Sequence, residues 1–222
     1  MRAPLLPRLF DEAIATAELD PFSDALSELL PEEAVGLPHA HPLRLLEYRG
    51  GRHAAREAQR KLGVTEVRSV PRAMDRSPVW PAGLVGSITH TRRSTWGFCG
   101  AAVARERDVR GIGVDVEVDD PLDRQLWDRV LLDSEKDEIE RRPEREHGYL
   151  GKLLFSAKES VYKCQHPLSH QFLEFHDVEV LLAADGLVAR LLRAAGPLSS
   201  GTSFDVRFLR EGGLIATATT LR

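Results

Sequence analysis

The feature that organises this chain is the stretch Gly111-Ile112-Gly113-Val114-Asp115-Val116-Glu117. Successive side chains of a strand alternate between its two faces, so Asp115 and Glu117 point the same way, about 7 Å apart at Cα. Two neighbouring carboxylates repel each other unless a positive charge lies between them, and a hard divalent cation with oxygen ligands would meet that need. The small residues Gly111 and Gly113 leave room for backbone or ligand to approach. A solvated strand end without a cation is the competing interpretation.

Composition limits the classes of protein that this chain can be. Its 222 residues suffice for one large or two small domains, and 42% apolar with 29% charged residues is typical of a soluble globular protein. A net charge of −4 predicts no general attraction to nucleic acid or to anionic membranes, so an anion site needs a local basic cluster. The widely spaced Cys99 and Cys164 predict packing residues in a reducing cytoplasm. The sequence has no run of about 18 apolar residues, so no membrane span is expected.

Periodicity predicts the order of helices and strands. The predicted helices are one or two short ones within 8–30, one at 43–62, one from Ser134 to about residue 140, and one from about 146 to 164 that Pro167 ends. The predicted strands are 84–90, 96–104, 111–117, 172–182, 186–193, 203–209 and 214–220. Residues 31–42 are expected to form a loop carrying His39 and His41. Turns at Asp185-Gly186 and at 211–213 predict an antiparallel meander for the last four strands.

Two of the predicted helices carry polar stripes. In the helix at 43–62, one face carries four arginines: Arg49, Arg52, Arg56 and Arg60. Arg44 lies two turns before Arg52. This stripe is either a solvated basic face or a surface that binds a polyanion such as phosphate, for which arginine forks are well suited. In the helix at 146–164, Lys152, Ser156, Glu159 and Lys163 form a polar stripe apart from the apolar one. Glu159 and Lys163 alone would also fit an ordinary surface ion pair.

Three separated motifs follow one another in a distinctive order. They are Trp80-Pro81-Ala82-Gly83-Leu84-Val85-Gly86-Ser87-Ile88-Thr89-His90, then Gly111–Glu117, then Phe155-Ser156-Ala157-Lys158-Glu159-Ser160-Val161-Tyr162-Lys163. Their order and spacing resemble the 4′-phosphopantetheinyl transferase superfamily. The resemblance is to the long, monomeric type that activates siderophore, polyketide and nonribosomal-peptide carrier proteins. The family's Gly-x-Asp-x-Glu and Phe-Ser-x-Lys-Glu-x-x-x-Lys signatures are both intact, and family-like features extend from about Leu43 to Phe172.

The resemblance implies an enzyme, a holo-[acyl-carrier-protein] synthase. Such enzymes move the 4′-phosphopantetheine arm of coenzyme A to a serine of an apo acyl or peptidyl carrier protein, with Mg²⁺ or Mn²⁺, and release 3′,5′-ADP. A monomer is expected because 222 residues should hold the whole site, and charge and hydropathy predict a cytoplasmic protein with no nucleic-acid or membrane partner. The alternatives are a non-catalytic module that binds coenzyme A or a carrier protein, and an unrelated Mg²⁺-dependent phosphotransferase. The sequence has no GxxxxGK[ST] loop, which weighs against the P-loop form of the latter.

The resemblance also assigns roles to single residues. Asp115, Glu117 and Glu159 are the expected metal ligands, and the expected catalytic residues are Glu159, Lys163 and Asp115. Glu159 is also the candidate general base, and the two roles compete for the same oxygens. The implied coenzyme A contacts are Arg44, Arg52, Arg72, Arg76, Thr89, His90, Lys158 and Lys163.

Of these residues, Arg44 and Arg52 are expected at the 3′-phosphate, and Arg56, outside that set, is a further candidate. Arg72 and Arg76 match the Arg-Gly-x-x-Arg-x-Pro segment along the nucleotide, although this chain has Ala73 where that glycine is usual. Phe172 matches an aromatic residue near the pantetheine arm, and core packing is the competing interpretation.

The fold implied by the resemblance is α+β. Two similar halves, each with an antiparallel sheet packed on helices, are related by a pseudo-twofold axis, with the active site in the cleft between them. The first half spans residues 1–110 and carries the nucleotide and 3′-phosphate side. The second spans 111–222 and carries the metal-binding strand, the Lys-Glu helix and the meander.

Overall fold

The computed structural model describes residues 3–35, 37, 41–183 and 186–222. The chain forms two compact units, one of Met1–Ile112 with Arg222 and one of Gly113–Leu221. Both units combine an antiparallel sheet with helices packed on it, so the predicted α+β class is confirmed. The pseudo-twofold relation between the halves and the boundary at 110/111 stay predictions. None of the helices in the described ranges is long and apolar enough to cross a membrane.

The first unit is a three-stranded sheet covered by one long helix. Its elements are β1 (Ala15–Leu19), α1 (Pro31–Ala34), α2 (Pro42–Lys61), β2 (Leu84–Arg92) and β3 (Gly97–Arg105). The strand order is β1-β3-β2, and both pairings are antiparallel. Apolar residues at helical spacing and the turn between two β-rich runs predicted α2 and the β2–β3 hairpin, and the structure confirms both with slightly different ends.

Small residues let α2 lie very close to the sheet. A Cβ atom on Gly50 would lie 2.7 Å from Cys99 Sγ, and one on Gly51 would lie 2.8 Å from Ile88 Cγ2. Ala54, which follows on the same helix, is fully buried. This approach brings the first turns of α2 against the C-terminal end of β2.

The prediction of short helices within 8–30 is wrong. Residues Ala15–Leu19 form β1, an edge strand paired with β3. The run is short and helix-compatible by itself, but pairing with β3 satisfies its backbone groups, and such tertiary pairing overrides local propensity. The predicted loop at 31–42 contains the single-turn helix α1, and His39 lies outside the described residues.

The second unit is a five-stranded sheet with order β4-β8-β7-β6-β5. Its strands are β4 (Gly111–Val118), β5 (Val178–Ala183), β6 (Gly186–Leu191), β7 (Ser203–Glu211) and β8 (Leu214–Leu221). The antiparallel meander from β5 to β8 is confirmed. Gly212 and Gly213 both have positive φ, 61° and 75°, as a two-residue hairpin turn requires. Of the other predicted turn, Asp185 lies outside the described residues.

The helices of this unit are α3 (Trp127–Val130), α4 (Asp133–Glu140) and α5 (Glu144–Ser169). The apolar stripe of α5 packs with β5, β6 and β8 into a continuous core that includes Leu154, Val161 and Cys164. Cys99 and Cys164 are both buried free thiols, which confirms their interpretation as packing residues.

Three element boundaries in this unit differ from the prediction. Pro167 does not end α5, which continues to Ser169 and stops at His170, where φ is 51°. Burial of the preceding turn, Gln165 and His166, holds the helix past the proline. Helix α4 begins at Asp133, and the Glu135 carboxylate rather than Ser134 accepts the Leu132 N–H. Strand β5 begins at 178 and not at 172, because a 3₁₀ turn at Phe175–Asp177 precedes it.

Candidate active site

Strand β4 and helix α5 bring Asp115 and Lys163 together. Lys163 Nζ donates to Asp115 Oδ1 at 2.6 Å, and Ser156 Oγ donates to Asp115 Oδ2 at 2.8 Å. Asp115 is only 4% exposed, whereas about a quarter of the Lys163 side chain is accessible. Burial lowers the pKa of Lys163, but the charges of Asp115 and Glu159 outweigh it, so the net shift is upward and the amine is a held cation.

Gly113 makes this arrangement possible. A Cβ atom on Gly113 would lie 1.7 Å from the carbonyl oxygen of Ser160 and 2.9 Å from Cys164 Cβ. The backbone of β4 therefore lies directly against α5, and Asp115, two residues further on, meets the next polar positions of the helix. The sequence left open whether this glycine makes room for backbone or for a ligand, and here it allows the backbone of α5 to approach β4.

We expect Gly113→Ala to destabilise the protein by at least about 1–3 kcal/mol, because the new methyl group overpacks the contact between β4 and α5. The free energy of unfolding from denaturant titration would measure this change. Gly151→Ala is the matched control, since its Cβ would make ordinary contacts at 3.4 Å with Leu122 and Trp127, and alanine favours a helix. Equal stability of Gly113→Ala and Gly151→Ala would contradict the close backbone contact.

Glu117 lies beside Asp115 and Lys152. Burial and the neighbouring Asp115 carboxylate raise the pKa of Glu117 to about 7, against the opposing charges of Lys152 and Lys163. Lys152 Nζ lies 3.5 Å from Glu117 Oε2. This carboxyl is thus poised to change protonation near neutral pH, as groups at functional sites often are.

Glu159 lies on α5 one turn before Lys163. Burial raises the pKa of its carboxyl, Lys163 opposes this shift, and Asp115 adds to it. The sequence-predicted residues Asp115, Glu117, Glu159 and Lys163 therefore influence one another electrostatically. A carboxylate whose pKa is raised is a stronger base than an ordinary glutamate, which suits a general base.

The site contains carboxylate oxygens that could bind a divalent cation, although they do not form a complete coordination sphere. Within the described ranges, no three His, Cys, Asp or Glu side chains form a metal-binding group. A lysine amine lies against each of Asp115 and Glu117. The donor chemistry still fits a hard cation, because the groups are carboxylate oxygens and part of the upward pKa shift of Glu117 comes from its like-charged neighbour, which a cation would relieve. The three-ligand set of Asp115, Glu117 and Glu159 stays a prediction.

The side chain of Lys158 is 1% exposed, and its amine is held within the fold. Its ammonium group donates to Glu135 Oε2 at 2.7 Å, to the Val130 carbonyl at 2.9 Å and to the Phe175 carbonyl at 3.0 Å. An ammonium has three hydrogens, so these contacts use all of them. The expectation that Lys158 lies on the phosphates of coenzyme A is not supported by this placement, and the structure favours a structural role.

An open cavity lies next to Glu159. Its lining includes the aromatic side chains of Tyr162, Phe172 and Phe175 and the cation of Arg129. Phe172 is 65% exposed and meets the Tyr162 ring edge-on at a centroid distance of 5.6 Å. Core packing, the competing interpretation of Phe172, is therefore wrong, because most of the ring is accessible to solvent or to a ligand.

In the first unit, Arg44 and His90 are also brought together. Arg44 Nη1 donates to His90 Nε2 at 2.5 Å, while Thr89 is buried within the sheet. Arg72 and Arg76 are exposed in the connection between α2 and β2, and Arg76 has a φ of 73°.

The arginine stripe of α2 is not a uniformly solvated face. Arg52 is 5% exposed, its guanidinium lies over the Tyr48 ring at 4.2 Å, and its buried Nε has no hydrogen-bond partner among the described residues. Arg56 is 3% exposed and forms a buried ion pair with Glu33. Solvation as the default interpretation is therefore wrong for Arg52 and Arg56, and Arg56 is bound within the fold.

Sequence reasoning missed two residues at the Arg44–His90 contact. Glu47 Oε1 lies 2.9 Å from Arg92 Nε, and Glu47 Oε2 lies 3.3 Å from Arg44 Nη1. The available signal was spacing: Glu47 follows Arg44 by three positions on a helix, and Arg92 follows His90 by two on a strand, so each pair shares a face.

Comparison with known proteins shows which family this chain resembles. The family description "4′-phosphopantetheinyl transferase N-terminal domain" matches residues 31–104, and "4′-phosphopantetheinyl transferase superfamily" matches 111–212. The chain is 38% identical to the 4′-phosphopantetheinyl transferase Svp of Streptomyces mobaraensis over 98% of this chain and 88% of that protein. It is 34% identical to the transferase PptT of Mycobacterium tuberculosis over 99% of this chain and 97% of that protein. It is 36% identical to enterobactin synthase component D of Salmonella typhi over 57% of this chain and 53% of that protein.

The relatives define a transferase, and the chain forms two compact units. The chain belongs to the 4′-phosphopantetheinyl transferase superfamily.

Proposed function

We propose that this protein transfers the 4′-phosphopantetheine arm of coenzyme A to a serine hydroxyl of apo acyl or peptidyl carrier proteins and releases 3′,5′-ADP. The observation that carries this proposal is the group formed by Asp115, Glu117, Glu159 and Lys163. Both family signatures contribute to it: Lys163 contacts Asp115, and the charges of the group shift the pKa values of Glu117 and Glu159. That combination suits a phosphoryl group whose charge must be neutralised while a proton is removed.

The transfer needs one bond to form and one to break. The carrier serine oxygen attacks the phosphorus nearest the pantetheine, and the bond from that phosphorus to the oxygen of the 3′,5′-ADP leaving group breaks. Glu159 takes the serine proton, and the raised pKa of its carboxyl makes it a stronger base than an ordinary glutamate. Lys163, held as a cation by Asp115, stabilises charge on the phosphate oxygens.

Asp115 and Glu117 are the residues that would hold Mg²⁺ or Mn²⁺, and Glu159 would join them only through the carboxylate oxygen that does not take the serine proton. When bound, such a cation supplies Lewis-acid neutralisation of the pyrophosphate. The crowded carboxylates of β4 support this assignment, because their mutual repulsion contributes to the raised pKa of Glu117.

Further residues are proposed contacts of coenzyme A. In the first unit, Arg44 and His90 bind a phosphate together, and Arg52 supports it from within the helix. Arg72 and Arg76 line the nucleotide from their exposed connection, and Thr89 holds the strand that carries His90. In the second unit, the cavity that Tyr162, Phe172 and Phe175 line beside Glu159 accepts the pantetheine arm, whose mixed polar and apolar character suits aromatic walls.

The substrates are proposed to be carrier proteins of siderophore, polyketide or nonribosomal-peptide synthesis, served by a cytoplasmic monomer. The similarity to an enterobactin synthase component supports this substrate class. A module that binds coenzyme A or carrier proteins without turnover is the second candidate, and the intact signatures weigh against it.

Incubating the wild-type protein with coenzyme A, Mg²⁺ and a panel of apo carrier proteins tests the proposal. Intact-mass spectrometry is expected to show one phosphopantetheine group added per carrier. A carrier with its acceptor serine changed to alanine is the control and should gain nothing. Binding of coenzyme A without any mass gain across the panel would favour the non-catalytic module instead.

A further inference from the structure

Glu47 on α2 holds three basic side chains at one end of the first unit. We call Arg44, Glu47, His90 and Arg92 the Glu47 cluster. Glu47 Oε1 lies 2.9 Å from Arg92 Nε, and Oε2 lies 3.3 Å from Arg44 Nη1 and 4.0 Å from His90 Nδ1. Arg44 in turn donates to His90 at 2.5 Å. One carboxylate is thus surrounded by three nitrogen-bearing side chains.

The residues of the Glu47 cluster are held close together by the backbones of α2 and β2. His90 and Arg92 are two residues apart on β2, so both point to the face that α2 covers. Gly50 and Gly51 bring α2 within side-chain contact of that sheet, which sets Arg44 and Glu47 above the end of β2. The cluster is therefore built from two rigid elements, which is the arrangement that a preorganised binding site needs.

Burial within the cluster is uneven. The Glu47 side chain is 11% exposed, whereas Arg44, Arg92 and His90 are 56%, 36% and 33% exposed. The carboxylate thus lies behind and the basic groups face solvent. Arg92 contacts Glu47 through Nε, the nitrogen nearest the chain, so the terminal nitrogens of its fork can take an oxyanion. A carboxylate that restrains several cations lowers the entropic cost of binding a phosphate to all of them.

We propose that Arg92 is a third phosphate-binding residue beside Arg44 and His90, and that Glu47 is the residue that positions it. The proposal rests on the proposed function, because it takes the 3′-phosphate of coenzyme A as the ligand of this cluster. A phosphate monoester carries close to two negative charges at neutral pH, and a single arginine would neutralise only one of them. Three basic side chains around the phosphate can bind its remaining charge and acceptor oxygens. Discrimination between coenzyme A and dephospho-coenzyme A, which lacks that phosphate, is the property that Arg92 confers.

Calorimetric Kd values for coenzyme A and dephospho-coenzyme A test this proposal. Arg92→Ala is expected to weaken binding of coenzyme A by about ten- to a hundredfold, the range for one lost charge-assisted contact, and to leave dephospho-coenzyme A within about twofold. Arg92→Lys keeps the charge but loses the fork and should fall between. Arg93→Ala is the matched control, because it removes the same charge one residue away and is expected to leave both Kd values unchanged.

Two results would overturn the assignment of Arg92: no change in the Kd of coenzyme A, or equal weakening of both ligands. For the positioning role, Glu47→Ala should lower the ratio of the two affinities while Glu47→Gln, which keeps an acceptor for Arg92, retains most of it. Tighter binding of coenzyme A by Glu47→Ala would show that Glu47 competes with the ligand, contrary to the proposal. These binding measurements need no turnover, so a wild-type protein that binds coenzyme A without transferring its arm would refute the proposed function and leave this inference to be judged separately.

Discussion

Asp115→Asn is expected to lower kcat/KM for phosphopantetheine transfer by at least about a hundredfold, the scale for losing one preorganised electrostatic group. The carboxylate charge holds Lys163 at 2.6 Å and, in the proposed mechanism, one side of a divalent cation. Asparagine keeps the size of the side chain and an acceptor for Ser156, so the packing between β4 and α5 is preserved. The loss should therefore arise from charge and not from unfolding.

The measurement is the initial rate of holo-carrier formation at several coenzyme A concentrations, with the melting temperature of each variant as a check of folding. Asp205→Asn is the matched control, because it removes the same charge from an exposed residue of β7, a strand that does not pair with β4. Full activity of Asp115→Asn would show that the carboxylate is not part of the catalytic group. A collapse of the melting temperature would make Asp115 a structural counter-charge instead.

Lys158→Met is expected to lower the free energy of unfolding by about 3–5 kcal/mol, because it leaves a buried carboxylate without its partner. The side chains of Lys158 and Glu135 are each 1% exposed and lie 2.7 Å apart. Glu135 also accepts the backbone N–H groups of Leu132 at 2.8 Å and Val180 at 2.7 Å, so it cannot turn towards water without breaking those bonds. The pair thus joins α4, α5 and β5.

Thermal and denaturant unfolding would measure the effect. Adding Glu135→Gln to Lys158→Met should recover part of the loss, because the amide keeps an acceptor and removes the buried charge. Lys136→Met is the control: its ion pairs with Asp128 and Asp133 are at the surface, where no measurable change is expected.

The same variant separates structure from ligand binding. At a temperature where it is folded, Lys158→Met should keep the wild-type KM for coenzyme A, since all three hydrogens of the ammonium are used within the fold. A stable variant with a raised KM would restore the phosphate-binding role that the family resemblance implies.

The local sequence pattern was sufficient to predict those elements that depend on residues close together in the chain. The β2–β3 hairpin, the meander from β5 to β8 and the helices α2 and α5 follow from alternation, turn glycines and helical spacing. The two motifs that resemble a known family predicted that Asp115 and Lys163 belong to one site, but the sequence did not predict their ion pair. Their contact depends on Gly113, whose importance is visible only where β4 meets the Ser160 carbonyl.

The local pattern could not predict features that depend on partners far away in the sequence. Strand β1 is a strand because β3 lies beside it, and Lys158 is buried because Glu135 and two carbonyls surround it. A lysine next to Glu159 in sequence looks identical whether its amine points to a ligand or into the core.

The amino-acid sequence by itself determined the superfamily, the chemistry of the Gly111–Glu117 strand and the residue types of the site, because these depend on local order and side-chain identity. Only the tertiary structure decided which charges meet. In the folded chain Asp115 contacts Lys163, and Lys158 is buried against Glu135. Arg92 lies beside Glu47, which also lies near His90. The physical reason is that Coulomb interactions and hydrogen bonds act over a few ångströms of space, and residues far apart in the chain come within that range only when α2 and α5 pack on their sheets.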